Sequence, residues 1–397
     1  MQPVAFDEGI PYNETVPVSF RNTPAEVLMS STEPLSPESI ASQRDAFVER
    51  FLGFASGTFS LFSIYIGDRL GLYRALADGG AATSAELATR TGTHERYIRE
   101  WLEQQTVAGI LDVQDETHDS RSRRFSLPPG HAEPLIECGS LNYMVPMAQL
   151  LVGAVRPLQP LLDAYRNGGG VSFEEYGSDL REGQAAINYP AFWQQLPYEW
   201  LPAILDLHDR LQVNPPAQIA DIGCGYGWSS LGMARGYPDV HVDGFDLDAP
   251  SIERARENAR RNHLADRVHF HVRDAGDLSP AGQYDLVTAF ECVHDMTNPV
   301  GALASMRRLV KADGTVLIVD ERVGDTFTAR GNDVEWMMYG WSILHCLPVG
   351  MMEDNAAGTG TVMRTDTLRK YAQEAGFRSL EVLPIEHFFF RFYRLTP

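Results

Sequence analysis

One glycine-rich turn and two later acids stand where they could hold a nucleoside. Ala220-Asp221-Ile222-Gly223-Cys224-Gly225-Tyr226-Gly227 follows an apolar run of strand length and opens a helical one. Glycines let the backbone turn tightly and approach a ligand that a Cβ would block. As a nicotinamide fingerprint the motif fails, because the sixth position of GxGxxG is Trp228. An acid two residues before a GxGxG suits a nucleoside with an amino-acid tail and no pyrophosphate. Asp246, nineteen residues past Gly227, ends the next strand, where a carboxylate can accept from both ribose hydroxyls. Asp274-Ala275 ends the third, placed for an adenine amino group. Either acid alone reads as readily as a helix cap or turn residue. Together they occupy successive strand ends, the edge at which open α/β sheets bind ligands.

A second group could move a proton. Phe290-Glu291-Cys292-Val293-His294-Asp295 follows the fourth strand. Imidazole titrates near neutrality, so His294 is the candidate general base. Glu321, at the end of the fifth strand, is placed to orient it. His269 and His271 alternate on one strand and share a face. They lack a third ligand nearby, so no metal site is expected.

These residues need a sheet to carry them. Gln218–Ile222, Val240–Asp246, Val268–Val272, Tyr284–Phe290 and Thr315–Asp320 are strand-length apolar runs. Helical segments such as Ser251–Asn262 and Val300–Leu309 separate them. That alternation predicts a parallel sheet with right-handed crossovers. Leu380–Leu383 and Phe388–Leu395 predict a hairpin on one sheet edge. Upstream, Thr83 and Thr93 cap helices, and strands from Gly109 and Phe125 follow, the order of a winged helix-turn-helix. The expected division is a flexible arm over 1–42, a winged-helix domain over 43–134, a helical connector lining the substrate cleft over 135–213, and the nucleoside-binding domain over 214–397.

Composition narrows the function. With 33 basic and 53 acidic residues the net charge is −20, which repels a polyanion such as DNA. Lys311 and Lys370 are the only lysines, and both fall where a helix end or turn is expected, so Schiff-base chemistry is disfavoured. Four cysteines without CxxC spacing, and no secretory start, suit a reduced, cytoplasmic protein. The uncharged runs at 51–67 and 138–155 carry too many small and polar residues to span a membrane, and read as helices buried in a core or between subunits.

The segments ADIGCGYG, GFDLD, VRDAGDL, YDLVTAFECVHDM and LVKADGTVLIVDE, spanning Ala217 to Glu321, resemble class I S-adenosylmethionine-dependent methyltransferases. With the winged helix in front, the chain is similar to small-molecule O-methyltransferases of plant and actinobacterial type. The resemblance implies a Rossmann-like α/β sheet of seven strands, mostly parallel with an antiparallel last strand, behind an α-helical winged-helix dimerisation domain. It implies S-adenosylmethionine held by Asp221, Gly223, Gly225, Gly227, Asp246, Leu247, Asp274, Ala275 and Glu291. It also implies a homodimer, and His294 as base with Glu321 beside it. The acceptor would be a small aromatic or apolar molecule walled by Trp336, Tyr339, Trp341 and His345. Three departures stand out: Met296 replaces the family's tryptophan after His-Asp, Phe290 replaces its lysine, and AAGTGTVMRT lacks its second glutamate. Two other readings remain open, a winged-helix DNA-binding regulator and a cofactor binder repurposed from a methyltransferase.

Overall fold

The computed structural model describes residues 36–277, 281–329 and 331–397. Glu49–Pro397 forms one compact unit. Most of the expected arm lies outside the described residues. Its last part does not: helix α1 (Pro37–Arg69) starts at Pro37 rather than at Gln43. Ser36 Oγ accepts the Ser39 N–H at 3.2 Å, and proline suits a first helical position because it has no N–H to satisfy.

Helices α2 (Leu72–Gly79), α3 (Ser84–Thr91) and α4 (Glu95–Val107) precede a short antiparallel pair, β1 (Asp112–Val113) and β2 (Phe125–Ser126). Thr83 caps α3 in a full capping box with Glu86, as its sequence predicts. The cap of α4 is His94, one residue past the expected Thr93. Leu72, Tyr73, Leu87, Ile98, Leu102 and Phe125 close a small core. Trp101 Nε1 donates to the Ser63 carbonyl at 2.9 Å and ties the end of α1 to it.

Helix α5 (Pro129–Ile136) straddles the expected boundary at 134, and the connector beyond it is helical: α6 (Val145–Ala154), α7 (Leu158–Asn167), α8 (Gly177–Pro190) and α9 (Leu205–Leu211). Between α8 and α9 the chain widens into a π-helical stretch, Ala191–Trp200. This stretch packs on α10 (Trp228–Gly236). At Gly232 a Cβ would stand 2.0 Å from the Phe192 carbonyl oxygen, so backbone meets backbone there.

The sheet has seven strands in the order β5-β4-β3-β6-β7-β9-β8. They are β3 (Gln218–Ile222), β4 (His241–Asp246), β5 (Val268–Val272), β6 (Tyr284–Phe290), β7 (Val310–Glu321), β8 (Ser379–Val382) and β9 (Phe390–Thr396). β3 to β7 run parallel, and β9 is antiparallel to both neighbours. The terminal strand thus enters between β7 and β8, and β8 forms the edge; its residues Phe390, Phe392, Tyr393 and Leu395 are apolar enough for that interior place. β7 begins five residues before the expected Thr315, through an irregular register near Tyr284. Helices α10 and α11 (Ala249–Arg261) contribute Leu231 and Ile252 to one sheet-face core. Helices α12 (Pro299–Leu309) and α15 (Thr365–Glu374) contribute Leu303 and Leu368 to the other. Before α15 lie α13 (Asp333–Trp341), a wide turn Ser342–Cys346 and α14 (Leu347–Gly350). Among the described residues, no helix is long and apolar enough to cross a membrane.

Candidate active site

Strand order reverses between β3 and β6, and a cleft opens at the carboxyl end of these strands. The glycine turn forms its floor. Gly223, Gly225 and Gly227 hold φ of 70°, 50° and 80°, a region that L-residues rarely adopt. At Gly225 nothing lies within 4 Å of where a Cβ would be, so this backbone faces open space. Asp246 meets the turn from β4. Its Oδ2 accepts the Gly225 N–H at 2.8 Å and its Oδ1 the Asp248 N–H at 2.9 Å.

Asp221 lies behind the turn rather than in the cleft. It is fully buried and accepts from Ser229, Ser230 and Thr288 hydroxyls at 2.6, 2.6 and 2.8 Å. Burial pushes its pKa up, and these hydroxyls pull it back. Its work is to fasten the first turn of α10 to the sheet. Asp274 is exposed at the end of β5, with Oδ1 on the Gly276 N–H at 2.6 Å. Leu247 is exposed and Ala275 half-buried on that rim.

The roof of the cleft is α8. Arg181, Gln184, Ala185 and Asn188 recur at helical spacing and all line it. Arg181 is clasped by Asp248 through two bonds of 2.8 and 2.7 Å, with its guanidinium 5.2 Å from the Phe173 ring centre. Asp248 also caps α11 through Ser251. Among the described lining residues Arg181 is the one cation, and its charge is already matched. A pyrophosphate would therefore find no available countercharge, whereas a cationic nucleoside would find Glu291 on the wall and Asp246 beneath the turn. An adenosyl sulfonium fits this arrangement: open backbone at Gly225, an acid beside it, and aromatic walls from Phe173, Tyr226 and Trp228.

Past β6 a second, drier cluster forms. His294 is 2% exposed. Its Nδ1 lies 3.0 Å from Asp320 Oδ1 and 3.3 Å from Glu321 Oε2. Asp320, not the expected Glu321, makes the hydrogen bond, while Asp320 Oδ2 and Glu321 Oε2 are buried without hydrogen-bond partners. Burial alone would lower the His294 pKa, but Glu321 and Asp320 outweigh it and hold the ring as imidazolium well above its usual range. Burial drives Glu321 well up, while His294 overcomes burial and keeps Asp320 low. Cys346 belongs to this cluster too: His294 and then His345 outweigh burial and bring the thiol down to about 5. The His294, Asp320 and Glu321 ligand atoms all lie within 4.8 Å of one another, a separation that a cation could also bridge.

Between the two clusters sits Glu291, which lines the cleft. The four expected substrate residues are not among the residues that line this cleft. Trp336 and Tyr339 are 53% and 38% exposed. Trp341 packs with the Leu150 and Tyr176 core. His345 stands edge-on to Phe173 and Tyr176, and so reaches the cleft only through Phe173. Sequence reasoning missed Arg181, Asn188 and Asp320. The i, i+3, i+4, i+7 recurrence in α8 and the Asp before Glu321 were the available signals.

Residues 214–375 match a family model described as a methyltransferase domain, and residues 58–136 one described as an Rv2258c-like winged HTH domain. The 27-O-demethylrifamycin SV methyltransferase of Amycolatopsis mediterranei is 30% identical over 150 residues, covering 36% of this chain and 52% of that one. The chain thus spans about half the length of that curated relative. Among solved structures, mitomycin 7-O-methyltransferase superposes with a TM-score of 0.66 at 20% identity, covering 90% of this chain and 99% of the other. An O-methyltransferase of neocarzinostatin biosynthesis, in complex with S-adenosyl-L-homocysteine and 1,4-dihydroxy-2-naphthoic acid, does so with a TM-score of 0.57 at 17% identity, covering 85% and 95%.

Proposed function

We propose that this chain, which carries a class I S-adenosylmethionine-dependent methyltransferase domain behind a winged-helix domain, methylates a small hydroxyl-bearing molecule of aromatic or apolar character. The observation that carries this reading is the convergence of Gly225, Asp246 and Glu291 on one cleft roofed by α8. Bound there, the cofactor supplies a methyl group already activated on positive sulfur. The protein's part is to position the acceptor and take its proton. The glycine turn and Asp246 hold the nucleoside. Leu247, Asp274 and Ala275 on the neighbouring strand ends give it a rim. The aromatic groups around Phe173, with Trp341 and His345 behind them, favour a flat acceptor. The proton goes toward the acidic wall past β6, where Glu291 lines the cleft and His294, the base expected from the sequence, is engaged by Asp320 and Glu321 behind it.

The DNA-binding reading loses support on the wing. Arg123 and Arg124 pair with Glu103 and Glu86, and in α4 Arg96 and Arg99 pair with Glu100 and Glu95. No basic stripe forms from them. The test is direct. Purified chain should bind S-adenosylhomocysteine in calorimetry and move labelled methyl from S-adenosylmethionine to members of a panel of phenols and hydroxylated polyketides. Binding without any transfer would favour the repurposed binder, and absence of binding would defeat both readings.

A further inference from the structure

Glu291 ends β6 with its N–H donated to the Val319 carbonyl at 2.9 Å, and then takes a φ of 48°. A long acidic side chain seldom occupies the left-handed region, and such torsions persist where surrounding contacts over-determine them. The turn sends adjacent side chains opposite ways. Cys292 tucks under the glycine turn, donating to the Ile222 carbonyl at 3.3 Å, and its Sγ would stand 2.6 Å from a Cβ at Gly223. Glu291 emerges instead into the cleft. There Asn188 Nδ2 donates to its Oε2 at 2.5 Å, the one hydrogen bond this carboxyl makes among the described residues. The His294 ring, by contrast, is shut inside and engaged with Asp320.

We propose that Glu291 is the residue that touches the methyl acceptor and removes its proton, while Asn188 holds the carboxyl in place. This rests on the methyl-transfer reading above. As the acceptor oxygen bonds to the methyl carbon, the carbon–sulfur bond breaks and its electron pair stays on sulfur. The acceptor O–H proton passes to the second oxygen of Glu291 and later to solvent. The products are a methyl ether, a neutral thioether and a protonated Glu291.

The surroundings suit this role. Behind Glu291 lie His294, Asp295, Asp320, Glu321 and Cys346; from α8 it faces Asn188, with Arg181 already clasped by Asp248. Burial pushes the Glu291 carboxyl up to about 7 against the pull of His294. A base must be ionised, so turnover rises as pH increases through that value. His294, shut away from the cleft and engaged with Asp320, acts as a positioning charge that pulls against burial and keeps Glu291 ionisable near neutrality.

Glu291→Gln keeps the shape and removes the base. It should lose roughly a hundredfold or more in kcat, together with the rise near neutral pH, beyond whatever S-adenosylhomocysteine affinity it loses in calorimetry. His294→Ala should displace that rise without abolishing it. Independently of turnover, infrared titration with S-adenosylhomocysteine should show a protonated-carboxyl band whose loss near pH 7 is larger in wild type than in Glu291→Gln by one carboxyl, because Asp295, which burial also pushes up to about 7, titrates in both. A Glu291→Gln enzyme within about threefold of wild-type kcat, or a titrating band of equal size in wild type and variant, overturns the proposal. Failure of the wild type to bind the nucleoside would defeat the methyltransferase reading instead, while the infrared band would still decide the Glu291 ionisation.

Discussion

At the scale of single residues, position in the chain and position in the cleft diverge. Asp221 and Asp246 look alike in sequence, each an acid at a strand end. Asp221 is sealed beneath the glycine turn by three hydroxyls, whereas Asp246 reaches the turn itself through Gly225. Their substitutions should separate accordingly. Asp246→Ala removes the acceptor for the ribose hydroxyls, and hydrogen bonds to a charged group are worth about 2 kcal/mol. It should weaken S-adenosylhomocysteine binding by roughly thirtyfold in calorimetry, with a lowered melting temperature as well because Asp246 also holds the Gly225 and Asp248 N–H groups. Equal affinity would remove Asp246 from the cofactor site. The acids and glycines of this turn were legible because backbone geometry restricts which residues can stand there. Asn188 and Arg181 were not, because a helix surface accepts nearly any polar residue, and only the fold reveals which face meets the cleft.

At the scale of elements, the strands were the most legible part. β3, β5 and β6 occupy the residues their sequences predict, since an apolar run flanked by turn residues has few other uses. Ends were less so: β7 gains five residues at its start because its pairing with β6 continues through a register irregularity that no local pattern signals. The passage from β3 to α10 has its own requirement. Gly227 holds φ of 80°, and a Cβ there would stand 2.4 Å from the Phe270 ring. Gly227→Ala combines left-handed strain with overpacking, at about 2 to 4 kcal/mol. A fall of several degrees in the calorimetric melting temperature is expected; an unchanged transition would mean that the turn tolerates an ordinary residue.

Over the whole molecule, the connector is joined to the sheet by charge as well as by packing. Asp285 on β6 is 7% exposed and receives Arg210 from α9, Lys311 from β7 and the Gln218 N–H. Burial raises its pKa, but these partners outweigh it and hold it below the usual carboxylate value. A depressed folded-state pKa contributes stability that is present above the unfolded value, near 4, and is lost as pH falls through the folded one. Asp285→Asn should therefore cost about 3 kcal/mol at neutral pH and flatten the acid side of the stability profile measured by denaturant unfolding. An acid limb identical to wild type would show that the pair contributes nothing. Further out, α1 leaves Leu52, Phe54, Phe59 and Ile66 more than 40% exposed. Apolar area of that kind is usually covered in solution, and a homodimer by light scattering at micromolar concentration is the expected outcome; a monomer would contradict it.

The contact at Gly232 has one more consequence. A carbonyl oxygen of the Ala191–Trp200 stretch rests where a side chain would otherwise stand on α10, with no flexible group between them to absorb a shift. These two segments, far apart along the chain, therefore behave as a single cooperative unit in local unfolding. Their amides should exchange with deuterium at one common rate. The stretch that continues α8, the roof of the cleft, is thus pinned to the helix that the glycine turn opens.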